Sequence, residues 1–214
     1  MTQLLIATTN PAKLAEYRLL LSDFDLELVS AAEKGITDTP AETGATFAEN
    51  ALLKARFYFA RSGLPTLADD GGLEVDALRG EPGVRSHRWL GEGGFDDRAL
   101  ADEVIRRMQG VAPGRRAARI RAAVALIYRD DSGVRERVAE GALEGVIADR
   151  VWPRMRPGFP YRAVLLLPER GCYLAELGDE EEARISQRRI ALEKLRSDLE
   201  RIAATRLRRA ADRG

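Results

Sequence analysis

The chain has 214 residues, which is long enough for one substantial hydrophobic core, and we expect a single domain spanning residues 1–214. Basic and acidic side chains number 34 each, so no net charge favours binding to nucleic acid or to an anionic membrane. The single cysteine and the single histidine exclude an internal disulfide framework and a multi-histidine metal site. The N-terminus has no basic leader, and no apolar run approaches the roughly 18 residues that span a bilayer. We therefore expect a soluble, cytoplasmic protein.

The first pattern is a strand, a turn and a helix. Residues 4–7 are apolar and predict a short strand, which runs into T-T-N-P-A-K. Asn10 is a favoured N-cap and Pro11 a favoured first helical residue. The opening amides of a helix lack partners within it and carry the positive end of its dipole, which favours bound phosphate. The candidates for such a site are Thr8, Thr9, Asn10 and Lys13. The alternative is a well-capped helix with a solvated Lys13.

A second strand is predicted over residues 26–29, and the loop that follows it carries Glu42. Thr46 and Glu49 have the spacing of a capping box and predict the start of a helix. Asn50 and Lys54 lie four residues apart on one face of that helix, which Gly63 and Pro65 then end.

The next segment, L-P-T-L-A-D-D-G-G, predicts a short buried strand that ends at Asp69 and Asp70, where Gly71 and Gly72 let the backbone turn. Together with Glu42, this pair could supply the oxygen ligands that Mg²⁺ prefers. Lys54 would then neutralise phosphate. The alternative is an acidic turn beside a solvated helix.

The middle of the chain offers weaker candidates. Arg85, His87 and Arg88 follow a Gly-Pro-Gly turn and could reach the phosphates or base of a substrate, although a lone histidine is more often a surface or packing residue. Residues 95–108 predict a helix with one apolar stripe. Arginines from 115 to 121 precede a central strand, and they fit solvated strand edges because no aromatic residues alternate with them.

Two further strands are predicted at residues 134–139 and 143–147. The loop R-P-G-F-P-Y-R-A then carries Phe159 and Tyr161, which either sandwich a base or pack on the core. Asp179 and Glu182 predict a capped helix through I-S-Q-R-R-I-A-L-E-K-L, followed by a C-terminal helix and basic tail over residues 195–214.

Three stretches of the first 90 residues resemble one known family. They are A-T-T-N-P-A-K-L-A-E, E-T-G-A-T-F-A-E-N-A-L-L-K-A-R and G-L-P-T-L-A-D-D-G-G-L-E-V-D-A-L-R-G-E-P-G-V-R-S-H-R-W. The sequence is similar to the inosine triphosphate pyrophosphatase family, also called the Ham1 or non-canonical purine NTP pyrophosphatase family, along nearly its whole length. The resemblance implies an α/β fold in which helices flank an elongated, twisted mixed sheet, with two lobes around a cleft, and it implies a homodimer.

The resemblance also implies an activity, namely Mg²⁺-dependent hydrolysis of deaminated purine triphosphates such as ITP, dITP and XTP to monophosphate and pyrophosphate. On this correspondence the metal ligands are Glu42, Asp70 and its neighbour Asp69, and the catalytic residues are Lys54, which binds phosphate, and Asp70, the proton acceptor. The candidate substrate-binding residues are Thr8, Thr9, Asn10, Lys13, Asn50, Gly71, Arg88, Phe159, Tyr161, Arg162, Gln187 and Arg188.

The sequence departs from the family pattern where the family reads the base. The usual G-F-G-Y-D-P stands here as G-F-P-Y-R-A, with Arg162 in place of the acidic residue. Glu182 replaces a usual lysine, the histidine of S-H-R is Gln187, and Gly71 replaces a usual serine. Arg162 and Glu182 both invert the family's charge, so they could pair with each other. One such hydrogen-bond pair changes base discrimination by about 1–3 kcal/mol, and we expect altered or relaxed base selectivity.

Three functions are compatible with these residues. The first is the pyrophosphatase described above. The second is a nucleotide-binding or sensing protein with little catalysis, and the third is a pyrophosphatase for another modified or pyrimidine triphosphate. The partner in each case is a nucleotide, not a nucleic acid or a membrane.

Overall fold

The computed structural model describes residues 1–91 and 96–211, with side chains described as far as residue 204. The strands are β1 (Thr2–Ile6), β2 (Leu26–Ser30), β3 (Thr66–Val75), β4 (Ala117–Asp130), β5 (Gly133–Ile147), β6 (Leu165–Leu167) and β7 (Cys172–Tyr173). The helices are α1 (Pro11–Leu20), α2 (Phe47–Ser62), α3 (Asp97–Arg107), α4 (Asp179–Ile185), α5 (Gln187–Lys194) and α6 (Arg196–Ala211).

The strands form one mixed sheet in the order β2-β1-β3-β4-β5-β6-β7. β1 runs parallel to both β2 and β3, whereas β6 runs antiparallel to β5 and β7. Every residue from Ala122 to Tyr128 in β4 is buried, which explains why its sequence is a continuous apolar run instead of an alternating one. The protein therefore has the predicted α/β architecture.

The chain divides into two compact units. Unit 1 contains residues 1–70 and 123–141 and the chain from Arg188 onward, and unit 2 contains residues 71–122 and 142–187. The boundary at residue 70 divides β3 between the units immediately after Asp70. The core of unit 2 surrounds Leu73, Leu100, Val104 and Val164, all of which are buried. Among the described helices none is both long and apolar enough to cross a membrane.

The predicted helix starts in unit 1 are confirmed. Asn10 caps α1, and its side-chain oxygen accepts hydrogen bonds from the amides of Ala12 and Lys13. The Thr46 hydroxyl caps α2 by accepting from the amide of Glu49 at 3.1 Å, and Gly63 ends α2 with a φ of 66°. These are local features, because each cap lies within three or four residues of its partner.

Three predicted boundaries are wrong. β3 does not end at Asp69 and Asp70 but continues to Val75, and neither Gly71 nor Gly72 has a positive φ. The two strands predicted over residues 134–147 are a single strand, β5. The helix predicted to start at Asp179 and run through I-S-Q-R-R-I-A-L-E-K-L is two helices, α4 and α5, because Ser186 between them adopts an extended conformation with ψ of 153°.

Two helix starts also differ from prediction. α4 is capped by Gly178 without a side-chain hydrogen bond, so Asp179 is its first residue and not its cap. α3 begins at Asp97 after an N-cap at Asp96, whereas the predicted start, Phe95, lies outside the described residues.

Candidate active site

Two adjacent carboxylates on β3 are the centre of the site in unit 1. The parallel register pairs Leu5 with Thr66 and Ile6 with Leu67, so the chain leaving β1 lies beside the chain approaching Asp69. This register brings the ammonium of Lys13, in the first turn of α1, to 3.1 Å from an Asp69 carboxylate oxygen. The fold therefore places the α1 turn beside the acidic pair.

Asp70 faces α2 and the loop before it. The Asn50 side-chain amide donates to Asp70 Oδ2 at 3.1 Å, and Lys54 Nζ lies 3.4 Å from Asp70 Oδ1. Lys54 Nζ also donates to Glu42 Oε1 at 2.6 Å, so one ammonium bridges two carboxylates. Asn50 is fully buried, and its own oxygen accepts from the amide of Gly44 at 2.7 Å. Its contacts in the structure therefore position Asp70 and the loop that carries Glu42.

The surroundings of Asp70 make it a stronger base than an ordinary aspartate. Burial, reinforced by the nearby charge of Glu42, raises the pKa of Asp70, although Lys54 acts in the opposite direction. Burial also disfavours the charged form of Lys54, but the carboxylates of Asp70, Asp69 and Glu42 outweigh this and raise the pKa of Lys54. The lysine is consequently charged at neutral pH.

Asp69 has a different environment. Its Oδ2 accepts two hydrogen bonds from the Arg188 guanidinium, at 3.0 and 2.8 Å, in addition to the contact from Lys13. Arg188 also lies 3.3 Å from Glu16 on α1. Burial alone would raise the pKa of Asp69, but the charges of Arg188 and Lys13 hold it well below its usual range. Asp69 and Arg188 therefore form a buried ion pair, which favours neither the predicted metal-ligand role of Asp69 nor the predicted base contact of Arg188.

The turn before α1 is satisfied internally. Asn10 accepts from the amides of Ala12 and Lys13, at 2.9 and 3.4 Å, and its own amide donates to the Thr8 hydroxyl oxygen at 3.1 Å. The predicted cap at Asn10 is confirmed, and it occupies the amides of Ala12 and Lys13. The groups that the turn offers to a phosphate are side chains, namely the hydroxyls of Thr8 and exposed Thr9 and the ammonium of Lys13.

The carboxylates of Glu42 and Asp70 fit a magnesium ion. They provide only oxygen donors, and Mg²⁺ in nucleotide sites is commonly held by one or two carboxylates together with substrate phosphates and water. The Glu42 side chain is one-third exposed and can still receive a solvated ion. Within the described residues no group of three or more His, Cys, Asp or Glu side chains is arranged to hold a metal ion. An ion held by Glu42 and Asp70 would therefore need further ligands from water or from a bound phosphate.

The predicted base-side residues belong to unit 2, and two of them form a buried ion pair. Arg162 Nε lies 2.8 Å from Glu182 Oε1, with both side chains almost fully buried, and the guanidinium stacks 3.5 Å above the centre of the Phe159 ring. Arg156 also donates to the second oxygen of Glu182 at 3.2 Å. The two charge inversions relative to the family pattern therefore compensate each other, as their signs suggested.

Four other candidate residues of unit 2 differ in their surroundings, namely Tyr161, His87, Arg88 and Gln187. Tyr161 packs in the core, and its hydroxyl donates to the carbonyl of Ser86 at 2.5 Å. Of the two alternatives that the sequence left open, stacking on a base or packing in the core, Tyr161 therefore shows core packing. The side chains of His87 and Arg88 are exposed. Gln187 is buried, and its side-chain oxygen has no hydrogen-bond partner among the residues that the structure describes.

Gly71 is a packing position and not a turn. A Cβ added to Gly71 would lie 2.3 Å from the carbonyl oxygen of Arg121 and 3.1 Å from the Cα of Ala122, both in β4. Contacts this short do not occur in real structures, so β3 and β4 approach this closely only because residue 71 lacks a side chain. The serine that is usual in the family at this position would not fit here without a backbone shift.

Three residues of these networks were missed by sequence reasoning. Glu16 and Tyr17 on α1 both interact with Arg188. Arg156 donates to Glu182 on α4 and to the carbonyl of Leu177 in the loop before that helix. Glu16 lies three residues after Lys13, so helical spacing could have placed the two side chains on one face. No local signal marks Arg156.

Comparison with known proteins identifies the chain. The sequence profile of the Ham1 family matches residues 4–198. This chain belongs to the Ham1 family. A relative in Methylococcus capsulatus, named dITP/XTP pyrophosphatase, is 42% identical over 186 residues, which cover 87% of this chain and 90% of the relative.

Solved Ham1 structures have the same fold. A HAM1 protein from Coxiella burnetii is 34% identical and superposes with a TM-score of 0.79, covering 93% of this chain and 98% of that protein. A nucleoside-triphosphatase, or dITP/XTP pyrophosphatase, from Mycobacterium abscessus is 38% identical with a TM-score of 0.68, covering 91% of this chain and 98% of that protein. The family match and these superpositions confirm the predicted family and fold class.

Proposed function

We propose that this protein is a Mg²⁺-dependent pyrophosphatase that hydrolyses triphosphates of deaminated purines, such as ITP, dITP and XTP, to monophosphate and pyrophosphate. The observation that carries the proposal is the convergence of Glu42, Lys54 and Asp70 within hydrogen-bonding reach, in a member of the Ham1 family. The relatives named dITP/XTP pyrophosphatase support this choice of substrate.

Glu42 and Asp70 are the residues that would hold Mg²⁺. The bound ion would offset negative charge on the triphosphate, as in other phosphoryl-transfer enzymes. Lys54 and Lys13 add positive charge from the protein, and both ammonium groups are largely shielded from water, where an electrostatic interaction with phosphate is strong. Asp69 keeps its own charge partners and is not part of the proposed ligand set.

Asp70 is the proposed proton acceptor for the attacking water. In the protein without metal, burial raises the pKa of Asp70, and a general base is more effective when its pKa lies nearer the working pH. The Asn50 amide holds Asp70 Oδ2, which fixes the orientation of the carboxylate towards the position of Lys54. The water oxygen bonds to the α-phosphorus and gives its proton to Asp70, the bond from that phosphorus to the bridging α–β oxygen breaks, and pyrophosphate leaves.

Base selectivity is the part of the function in which this chain should differ from its family. Arg162 stands where the family has an acidic acceptor, and its guanidinium is buried in an ion pair with Glu182. The acceptor that the family offers to the base at this position is therefore missing in this chain, and one hydrogen-bond pair of this kind is worth about 1–3 kcal/mol. We therefore propose relaxed or altered selectivity among purine triphosphates.

The test is pyrophosphate release from ITP, XTP, GTP, dUTP and ATP, measured side by side with Mg²⁺ for the wild-type protein and Asp70→Asn. We expect turnover of ITP or XTP by the wild type and a loss of about 10²–10⁴-fold in the variant, which is the usual contribution of a general base. Asp131→Asn, at an exposed aspartate in the β4–β5 turn, is the matched control and should retain wild-type activity.

Absence of turnover on every nucleotide, together with measurable binding, would replace this proposal with the nucleotide-sensing alternative. Preferential turnover of dUTP would indicate a pyrimidine pyrophosphatase.

We also propose that residues 1–214 act as a single functional domain, that the protein is a homodimer and that it works in the cytoplasm. Sedimentation equilibrium measures the oligomeric state, and a mass near the 23.6 kDa of one chain would exclude the dimer. Fractionation of the source cells tests the location.

A further inference from the structure

Lys54 occupies the position between the two carboxylates that suit a divalent cation. Its Nζ lies 2.6 Å from Glu42 Oε1 and 3.4 Å from Asp70 Oδ1, whereas these oxygens belong to separate parts of unit 1, the loop before α2 and strand β3. An ammonium in this position neutralises part of the charge that would otherwise attract a metal ion. The site is therefore partly neutralised by the protein itself.

The Lys54 ammonium and a metal ion cannot both lie between Glu42 and Asp70. Mg²⁺ binds carboxylate oxygens at about 2.0–2.1 Å and demands a nearly octahedral shell, so an ion shared by Glu42 and Asp70 would displace the ammonium from between them. The Lys54 side chain is only 13% exposed, so it cannot simply move into bulk water while its stem stays packed. A displaced Lys54 needs another anion close by.

The triphosphate can supply that anion. When phosphate oxygens arrive beside Lys54, the lysine exchanges its carboxylate partners for phosphate, and Glu42 and Asp70 become available to the metal. We propose that Lys54 is a displaceable substitute for the divalent cation, so that the metal binds Glu42 and Asp70 tightly only together with the triphosphate. This inference builds on the proposed function, because the proposed substrate is the anion that releases Lys54.

Binding of the metal alone tests the idea without measuring catalysis. The probe is Mn²⁺, whose free concentration is followed by electron paramagnetic resonance in nucleotide-free protein. Lys54→Gln removes the charge but keeps a side-chain donor between the carboxylates, and it should bind Mn²⁺ about tenfold or more tightly than the wild type. Lys34→Met is the control, because it also removes one lysine charge from unit 1 but at a side chain that contacts Gln3; it should change Mn²⁺ affinity much less.

Thermal unfolding provides a second measurement. Addition of Mn²⁺ should clearly raise the Tm of Lys54→Gln and should raise that of the wild-type protein little. At one Mn²⁺ concentration, the folded state is stabilised more when it binds the ion more tightly. Lys54→Met provides the same comparison if the glutamine variant folds poorly. Adding a triphosphate with a non-hydrolysable α–β bridge should also strengthen the binding of Mn²⁺ to the wild-type protein.

Equal or weaker Mn²⁺ binding by both Lys54 variants would overturn the inference. Strong Mn²⁺ binding by the wild-type protein without nucleotide, unchanged by the triphosphate analogue, would do so as well. Neither result depends on turnover, so failure of the pyrophosphatase assay and failure of this inference are distinguishable.

Discussion

The buried pair of Asp69 and Arg188 gives the strongest prediction for stability. Arg188 donates two hydrogen bonds to one oxygen of Asp69, and the two side chains are 5% and 1% exposed. The variant Arg188→Gln would remove the guanidinium charge and leave Asp69 buried with Lys13 as its remaining cationic partner.

Breaking a buried ion pair by removing one partner usually costs about 3–5 kcal/mol. Because Lys13 remains 3.1 Å from Asp69, we expect the free energy of unfolding to fall by a smaller amount, about 2–4 kcal/mol. For a chain of this size each 1 kcal/mol lowers the Tm by about 2–4 °C, so the expected fall in Tm is about 5–15 °C.

Urea unfolding of the wild type, Arg188→Gln, Asp69→Asn and the double variant measures the pair directly. The double variant removes both charges, so it should be less destabilised than the sum of the single variants, with a coupling energy of about 1 kcal/mol or more. Arg189→Gln is the matched control. Arg189 is more exposed and pairs with Glu193 on the same helix, so its replacement should cost no more than about 0.5 kcal/mol. Equal effects at residues 188 and 189, or additive effects in the cycle, would refute the reasoning.

Two other predictions follow from local geometry. Gly71→Ser should lower the free energy of unfolding by about 1–3 kcal/mol, because the new Cβ would meet the Arg121 carbonyl. In the same urea assay the control Gly114→Ser, whose Cβ would lie in open space, should change this free energy by less than about 0.5 kcal/mol. Glu103 accepts hydrogen bonds from the arginines three and four residues later, and these lower its pKa to about 2. A carboxyl group whose pKa is lower in the folded than in the unfolded protein stabilises the fold at pH values above its unfolded pKa. This stabilisation is lost as the pH falls through the folded pKa. Glu103→Gln should therefore cost about 0.5–1 kcal/mol at neutral pH and progressively less from pH 4.5 towards pH 2, measured by urea unfolding at each pH.

The sequence was sufficient for the ends of the first two long helices, where the deciding interactions are local. Asn10, Thr46 and Gly63 mark helix ends through bonds to residues at most four positions away, so their residue types alone indicate the structure. The shared face of Asn50 and Lys54 was also predictable from their spacing of four, whereas the contacts of that face with Asp70 were revealed only by the structure.

Sequence reasoning was insufficient wherever partners are distant along the chain. The bond between Arg188 and Asp69 spans 119 positions, and nothing near either residue indicates that they meet. β3 was predicted to stop at its glycines because Gly-Gly usually marks a turn. The close approach of β4 requires a residue without a side chain at position 71, and only the packed sheet reveals this requirement.

The strand geometry explains why two adjacent aspartates have unlike chemistry. Successive side chains of a strand point to opposite faces, so Asp69 and Asp70 meet different elements although their backbones adjoin. Asp69 meets Lys13 and Arg188, and these cations fix its charge. Asp70 meets Asn50 and Lys54, and burial raises its pKa. The alternation of side chains along β3 therefore gives the two adjacent aspartates opposite pKa shifts, with Asp69 held ionised and the pKa of Asp70 raised.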